Sequence, residues 1–119
     1  MASEADLRRI VRSLPETSEK PSYGTPGFRV KDKLFLRLRG EPDHGLVVFV
    51  ADLGEREALL ASDSEKFFTT PHYDGHPSVL VRLPAVGVDE LRELVTDAWL
   101  VRAPKQLRER YEAELGGDD

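Results

Sequence analysis

Two groups of residues in this sequence have the types and spacing that binding chemistry requires. The first is a basic stretch, residues 20–39, which holds six basic residues and one acidic residue. Strand alternation predicts that Lys33, Phe35, Arg37 and Arg39 share one sheet face, opposite the leucines between them. Phosphates need positive charge and exposed bases stack on aromatic rings. The pattern therefore predicts a nucleic-acid-binding surface made of Arg29, Lys33, Phe35, Arg37, Arg39 and Arg82. The alternative is a sheet face that long charged side chains keep soluble.

The second group is the His-x-Asp-x-His sequence at 72–76. Imidazoles and a carboxylate suit a divalent metal, but metal sites usually draw ligands from several elements. Gly75 and Pro77 explain the same stretch as a turn into the next strand. We expect no metal and no cofactor. A second hypothesis places a small-molecule or protein-partner pocket under this histidine loop (residues 69–77), lined by Tyr23, Phe28, Phe68, His72 and His76.

No pattern of catalytic residues stands out in the sequence. A nucleophile elbow, a phosphate-binding loop and a dinucleotide-binding fingerprint are all missing from it. The chain has no cysteine, which excludes thiol catalysis, disulfides and thiolate metal sites. We therefore expect a binding protein and not an enzyme, with no catalytic residue to name.

Size and charge limit the possibilities further. The 119 residues predict a single domain, 1–119, with residues 116–119 as a frayed tail. The net charge of −5 opposes general binding of polyanions, so we expect any nucleic-acid-binding surface to be a local basic patch. No apolar run is long enough for a membrane span and the N-terminus is charged, which predicts a cytoplasmic protein. We expect a monomer or a weak dimer.

The periodicity of apolar residues predicts helices separated from an antiparallel meander. Ser3 and Asp6 form a capping-box pair before the first helix, and Asp52 with Glu55 forms another. Asp89 is predicted as the N-cap of the strongest helix, and a Lys31-Asp32 turn joins two arms of a hairpin. The predicted helices are residues 3–14, 52–61, 89–102 and 104–115; the predicted strands are 28–30, 33–39, 46–51 and 78–83; residues 15–27, 40–45 and 69–77 are predicted loops. This order indicates an α+β fold, a two-layer sandwich with the helices on one face of the sheet.

The order of several short strings resembles the MmcQ/YjbR family over nearly the whole chain. The strings include Leu14-Pro15, Tyr23-Gly24-x-Pro26-x-Phe28-Arg29-Val30, Lys33-Leu34-Phe35, Phe67-Phe68, the loop from His72, and residues 89–99 before Ala103-Pro104-Lys105. The resemblance implies a CyaY-like, double-wing α+β sandwich, and members are commonly labelled DNA-binding. Many members carry Asn-Lys and then His-Trp after the loop histidine, where this chain has Asp74-Gly75 and Pro77-Ser78.

Overall fold

The computed structural model describes residues 1–22, 24–40 and 45–116. In these residues four helices and a six-stranded antiparallel sheet confirm the α+β class. The helices are α1 (Glu4–Arg12), α2 (Leu53–Ser62), α3 (Val88–Arg102) and α4 (Lys105–Gly116). The strands are β1 (Thr17–Ser22), β2 (Thr25–Val30), β3 (Lys33–Gly40), β4 (Gly45–Phe49), β5 (Phe67–Phe68) and β6 (Ser78–Arg82). The predicted turn at 40–45, Tyr23 and the end of the predicted frayed tail lie wholly or partly outside the described residues.

Helix starts follow the local chemistry of their first residues. The Ser3 hydroxyl accepts a hydrogen bond from the Asp6 amide (3.2 Å), and the Asp6 carboxylate accepts one from the Ser3 amide (2.9 Å), which confirms the predicted capping box. The Asp52 carboxylate accepts from the Glu55 amide at 2.8 Å. The prediction for α3 was wrong by two residues, because Gly87 is its N-cap and Asp89 lies within its first turn.

The sheet has the order β1-β2-β3-β4-β6-β5, and every neighbouring pair is antiparallel. Helix α1 packs against β1, α3 against β3 and β4, and α2 against β5 and β6. Their apolar side chains enter one buried cluster with those of the sheet. Trp99 of α3 lies at its centre, fully buried, and donates from Nε1 to the Pro15 carbonyl at 3.0 Å. We call the opposite side of the sheet the helix-free face, since the described helices pack on this one.

Two irregularities in β3 change which side chains share a face. Between Phe28 and Arg29 the pairing on β3 moves from Leu36 to Leu34, so Phe35 is an extra, bulged residue. The bulge interrupts the alternation, and Phe35 is fully buried in the core cluster. The prediction that Phe35 lies exposed beside the arginines was therefore wrong. Arg39 is the extra residue of a second bulge, between Leu38 and Gly40.

The strand β1 was missed by the sequence interpretation, which made residues 15–27 a loop. It contains Pro21 and, apart from that proline, no apolar residue, so no strand pattern is visible. The structure places it at the edge of the sheet, where a proline is tolerated because one side of the strand has no partner to hydrogen-bond.

Candidate nucleic-acid interface

Among the charged residues of the six strands, basic residues outnumber acidic ones, although the whole chain is acidic. The strands contain one acidic residue, Glu19, and six basic residues: Lys20, Arg29, Lys33, Arg37, Arg39 and Arg82. Glu19 pairs with Phe28 and so lies on the helix-covered face. There its carboxylate accepts from Arg8 Nε at 3.0 Å, which raises the pKa of the Arg8 guanidinium. The one strand carboxylate is thus turned away from the helix-free face.

Strand register defines the side chains of the helix-free face. Paired residues in neighbouring strands lie on the same side of a sheet. One row crosses all six strands, from Lys20 through Gly27, Arg37, Val47 and Leu80 to Phe68. The same register places Arg29 and Arg82 on this side, two residues along their strands from that row. Four cations therefore share the face without a strand carboxylate, although the carboxylate of Asp32, in the turn between β2 and β3, lies 3.9 Å from Lys20 Nζ.

The centre of this row is apolar and closed to solvent. Val47 is 2% exposed and Leu80 is fully buried. Arg37 is half-buried beside Val47, and Arg82 is half-buried near the other end of the row. The charged groups consequently surround an apolar centre, and the accessible parts of the face are its margins.

Two phenylalanine rings on the helix-free face are each covered by a guanidinium. The Arg82 guanidinium lies over the Phe68 ring, 4.2 Å from its centroid, and donates from Nη1 to the Ser64 carbonyl at 3.1 Å. The Arg102 guanidinium lies 5.0 Å from the Phe49 centroid and donates from Nε to the Leu34 carbonyl at 3.0 Å. Cation–π attraction and a backbone hydrogen bond hold each guanidinium in place. We call these two pairs the arginine–phenylalanine stacks.

The histidine loop extends the Phe49 stack with further rings. His76 meets the Phe49 ring edge-on, with 5.4 Å between centroids, and the Tyr73 ring lies 6.2 Å from His76. His72 contacts Tyr73 at 5.0 Å. Three of the four rings come from the loop, so this loop builds one margin of the helix-free face.

A buried arginine fixes the position of the histidine loop. Arg56 of α2 is 6% exposed and donates from Nε to the Ser78 carbonyl (3.1 Å) and from Nη2 to Thr69 Oγ1 (3.0 Å). Its third contact is to the exposed carboxylate of Glu57 at 2.6 Å. Thr69 and Ser78 mark the two ends of the loop, so one side chain holds both ends against α2.

The comparisons with known proteins agree with this architecture. The YjbR family model matches residues 12–101. The chain belongs to the YjbR family. Uncharacterized proteins of Mycobacterium bovis and Mycobacterium tuberculosis are each 40% identical to it over 132 residues, which cover 98% of this chain and 100% of theirs. A crystal structure of a Deinococcus radiodurans protein with the domain DUF419 has a TM-score of 0.76 at 23% identity, covering 98% of this chain and 89% of that one.

The YjbR-family chain brings together only part of the predicted nucleic-acid site. Arg29, Arg37 and Arg82 share the helix-free face, as described above. The exposed Lys33 pairs with Val30, a core residue, and is therefore on the helix-covered face of the sheet. Phe35 is buried, and Arg39 is half-buried at its bulge. Sequence reasoning also missed Phe49 and Arg102. Alternation along β4 could have placed Phe49 on the face of the sheet opposite to that of Val48. No sequence signal pairs Phe49 with Arg102.

The alternative pocket under the histidine loop does not form as predicted. Phe28 is 1% exposed, lies on the helix-covered face of β2, and is separated from β5 and Phe68 by three strands. His72 and His76 are exposed and linked through Tyr73, and Tyr23 lies outside the described residues. Cavities are found elsewhere: one of about 200 Å³ lies between α1 and β1, and one of about 460 Å³ lies at the β1–β2 hairpin.

Other chemistry has little geometric support in the described part of the chain. Within it, no group of three or more histidine, aspartate or glutamate side chains is placed to hold a metal ion. His76 Nδ1 lies 2.9 Å from Ser78 Oγ, a distance suited to a nucleophile and its base, but Ser78 is fully buried. None of the described helices has the length and apolar character needed to cross a bilayer.

Proposed function

We propose that this YjbR-family protein binds nucleic acid at the helix-free face of its sheet. One observation carries the proposal: Lys20, Arg29, Arg37 and Arg82 share that face, and the single carboxylate of the strands faces the helices. A sheet surface with an excess of positive charge attracts a polyanion even when the chain is acidic overall. The function is binding without chemical transformation of the ligand.

The distribution of acidic residues supports a directional electrostatic field. The helices contain eleven acidic and nine basic side chains, a net charge of −2, and the strands contain one acidic and six basic side chains, a net charge of +5. The residues between these elements and at the chain ends contain ten acidic and two basic side chains, a net charge of −8. Salt screens charge beyond roughly 10 Å at 0.1 M ionic strength. A nucleic acid lying along the helix-free face therefore interacts mainly with the sheet cations. The strands thus have a net charge of +5 within a chain whose net charge is −5.

The test compares two double variants with the same change in net charge. Arg37→Gln with Arg82→Gln removes two cations from the helix-free face. Arg92→Gln with Arg110→Gln removes two exposed cations from α3 and α4 and serves as the control. Binding is measured by fluorescence anisotropy of labelled DNA over a series of salt concentrations. Each lost phosphate contact lowers the slope of log K against log[salt] by about 0.7 for single strands or about 0.9 for a duplex.

We expect the face variant to bind more weakly and to lose salt dependence, and the control to behave as the wild type. Equal losses in the two variants would show that only net charge matters. An absence of binding at 20 mM salt, for single-stranded and duplex DNA alike, refutes the proposed function.

A further inference from the structure

We infer that the ligand is single-stranded, with its bases stacking at the two arginine–phenylalanine stacks; this inference rests on the proposed function. The observation behind it is that Phe49 and Phe68 are partly exposed and do not belong to the core cluster of the fold. Each ring is covered by a guanidinium, so each site presents a planar cationic group that is backed by an aromatic ring. Successive bases of a single strand require this combination.

Both guanidiniums are held in place before any ligand arrives. Arg82 is anchored by the Ser64 carbonyl and Arg102 by the Leu34 carbonyl, at 3.1 and 3.0 Å. An arginine that is already ordered loses less side-chain entropy when it binds. Its planar group, fixed on a phenylalanine ring, is suited to stack against a base or to pair with the adjacent phosphate.

The positions of the two stacks fit an extended strand. Phe49 pairs with Ser78, and Phe68 pairs with Leu80, so the two rings are separated by two strand spacings and two residues along the sheet. This offset corresponds to about 12 Å between their Cα atoms. Arg82 and Arg102 therefore offer two separate stacking positions, with the closed apolar centre of Val47 and Leu80 beside them.

Duplex DNA cannot use these positions, because its bases are stacked on one another inside the helix. A duplex presents its phosphates to a sheet face. Its base sequence is recognised by protein elements that enter a groove. The described strands of the helix-free face have no such projecting element, since the helices pack on the other side. Preference for a single strand is what distinguishes stacking from attraction to phosphate alone.

The test uses three labelled ligands of equal length: a thymidine oligonucleotide, the same oligonucleotide made entirely of abasic sites, and a duplex. The wild-type protein should bind the thymidine strand at least several-fold more tightly than the abasic strand. Phe68→Leu and Phe49→Leu should each weaken binding of the thymidine strand roughly 5- to 100-fold and leave abasic binding unchanged. Phe67→Leu is the matched control, because its ring is the neighbouring residue on the core side.

The outcomes separate this inference from the proposed function. If the abasic strand or the duplex binds as tightly as the thymidine strand, the face binds phosphate and the stacking inference is wrong. If polyglutamate competes as well as the thymidine strand does, the surface recognises negative charge alone, which also overturns it. If no nucleic acid binds, the proposed function itself fails. Wild-type measurements alone decide all three outcomes, so a misfolded variant does not affect the conclusion.

Discussion

Arg56 gives the most informative test of how the fold positions the site. Its guanidinium donates hydrogen bonds to Ser78 O and to Thr69 Oγ1, at the two ends of the histidine loop. Hydrogen bonds from a charged donor are worth about 1.5–3 kcal/mol each, and removing the buried charge recovers part of that sum. We therefore expect Arg56→Met to lower the free energy of unfolding by about 2–4 kcal/mol.

Arg56→Lys should be no better tolerated, because one ammonium group cannot reach both loop ends and remains charged in a buried site. Trp99 is the single tryptophan and is fully buried, so its fluorescence reports global unfolding in a urea titration. The exposed Arg92→Met on α3 is the control and should stay within about 0.5 kcal/mol of the wild type. In the same samples, NMR signals of the His76 ring should shift, since the loop loses its anchor. If Arg56→Met unfolds within 0.5 kcal/mol of the wild type, the anchoring role is wrong.

Three further predictions concern the core and the first helix. Trp99→Phe removes the hydrogen bond to the Pro15 carbonyl and part of the core volume, and should cost about 2–4 kcal/mol in a thermal melt followed by circular dichroism. Phe35→Ala should cost about 3–5 kcal/mol, since the ring is fully buried, and leave nucleic-acid affinity unchanged at a temperature where the variant is folded. Hydrogen bonds from the Ser3 amide and from Arg9 lower the pKa of Asp6 below 3.8. The ionised carboxylate therefore contributes its full stabilisation of the fold above pH 3.8, and this stabilisation is lost as the pH falls through the folded-state pKa. The stability difference between wild type and Asp6→Asn should therefore narrow below pH 3.8; a constant difference down to pH 2 would contradict the assignment.

The sequence predicted those parts of the fold that depend on residues close together in the chain. The Ser3–Asp6 capping box and the Lys31-Asp32 hairpin turn both follow from spacing within a few positions. The edge strand β1 could not be predicted in this way. It has no apolar periodicity of its own and is a strand because β2 supplies its hydrogen bonds.

The candidate site was harder to predict than the fold, because a single bulge decides which side chains share a face. Simple alternation placed Phe35 with Arg37, but the extra residue in β3 turns Phe35 into the core. The rings that do lie with the cations, Phe49 and Phe68, come from two other strands. Their guanidinium partners include Arg102, which is 53 positions after Phe49 in the chain. Contacts at such sequence distances are set by topology and leave no local pattern.

The net charge of a small protein is a poor guide to its partners when its layers differ in sign. The helices of this protein contain eleven acidic and nine basic residues, and its strands contain one acidic and six basic residues. The molecule measures 41 × 29 × 27 Å, so its opposite surfaces are separated by more than twice the screening length of about 10 Å at 0.1 M salt. Each surface is therefore effectively independent of the other at that salt concentration. In the proposed function, a polyanion on the helix-free face meets Lys20, Arg29, Arg37 and Arg82, and the acidic residues elsewhere in the chain repel polyanions from the other surfaces.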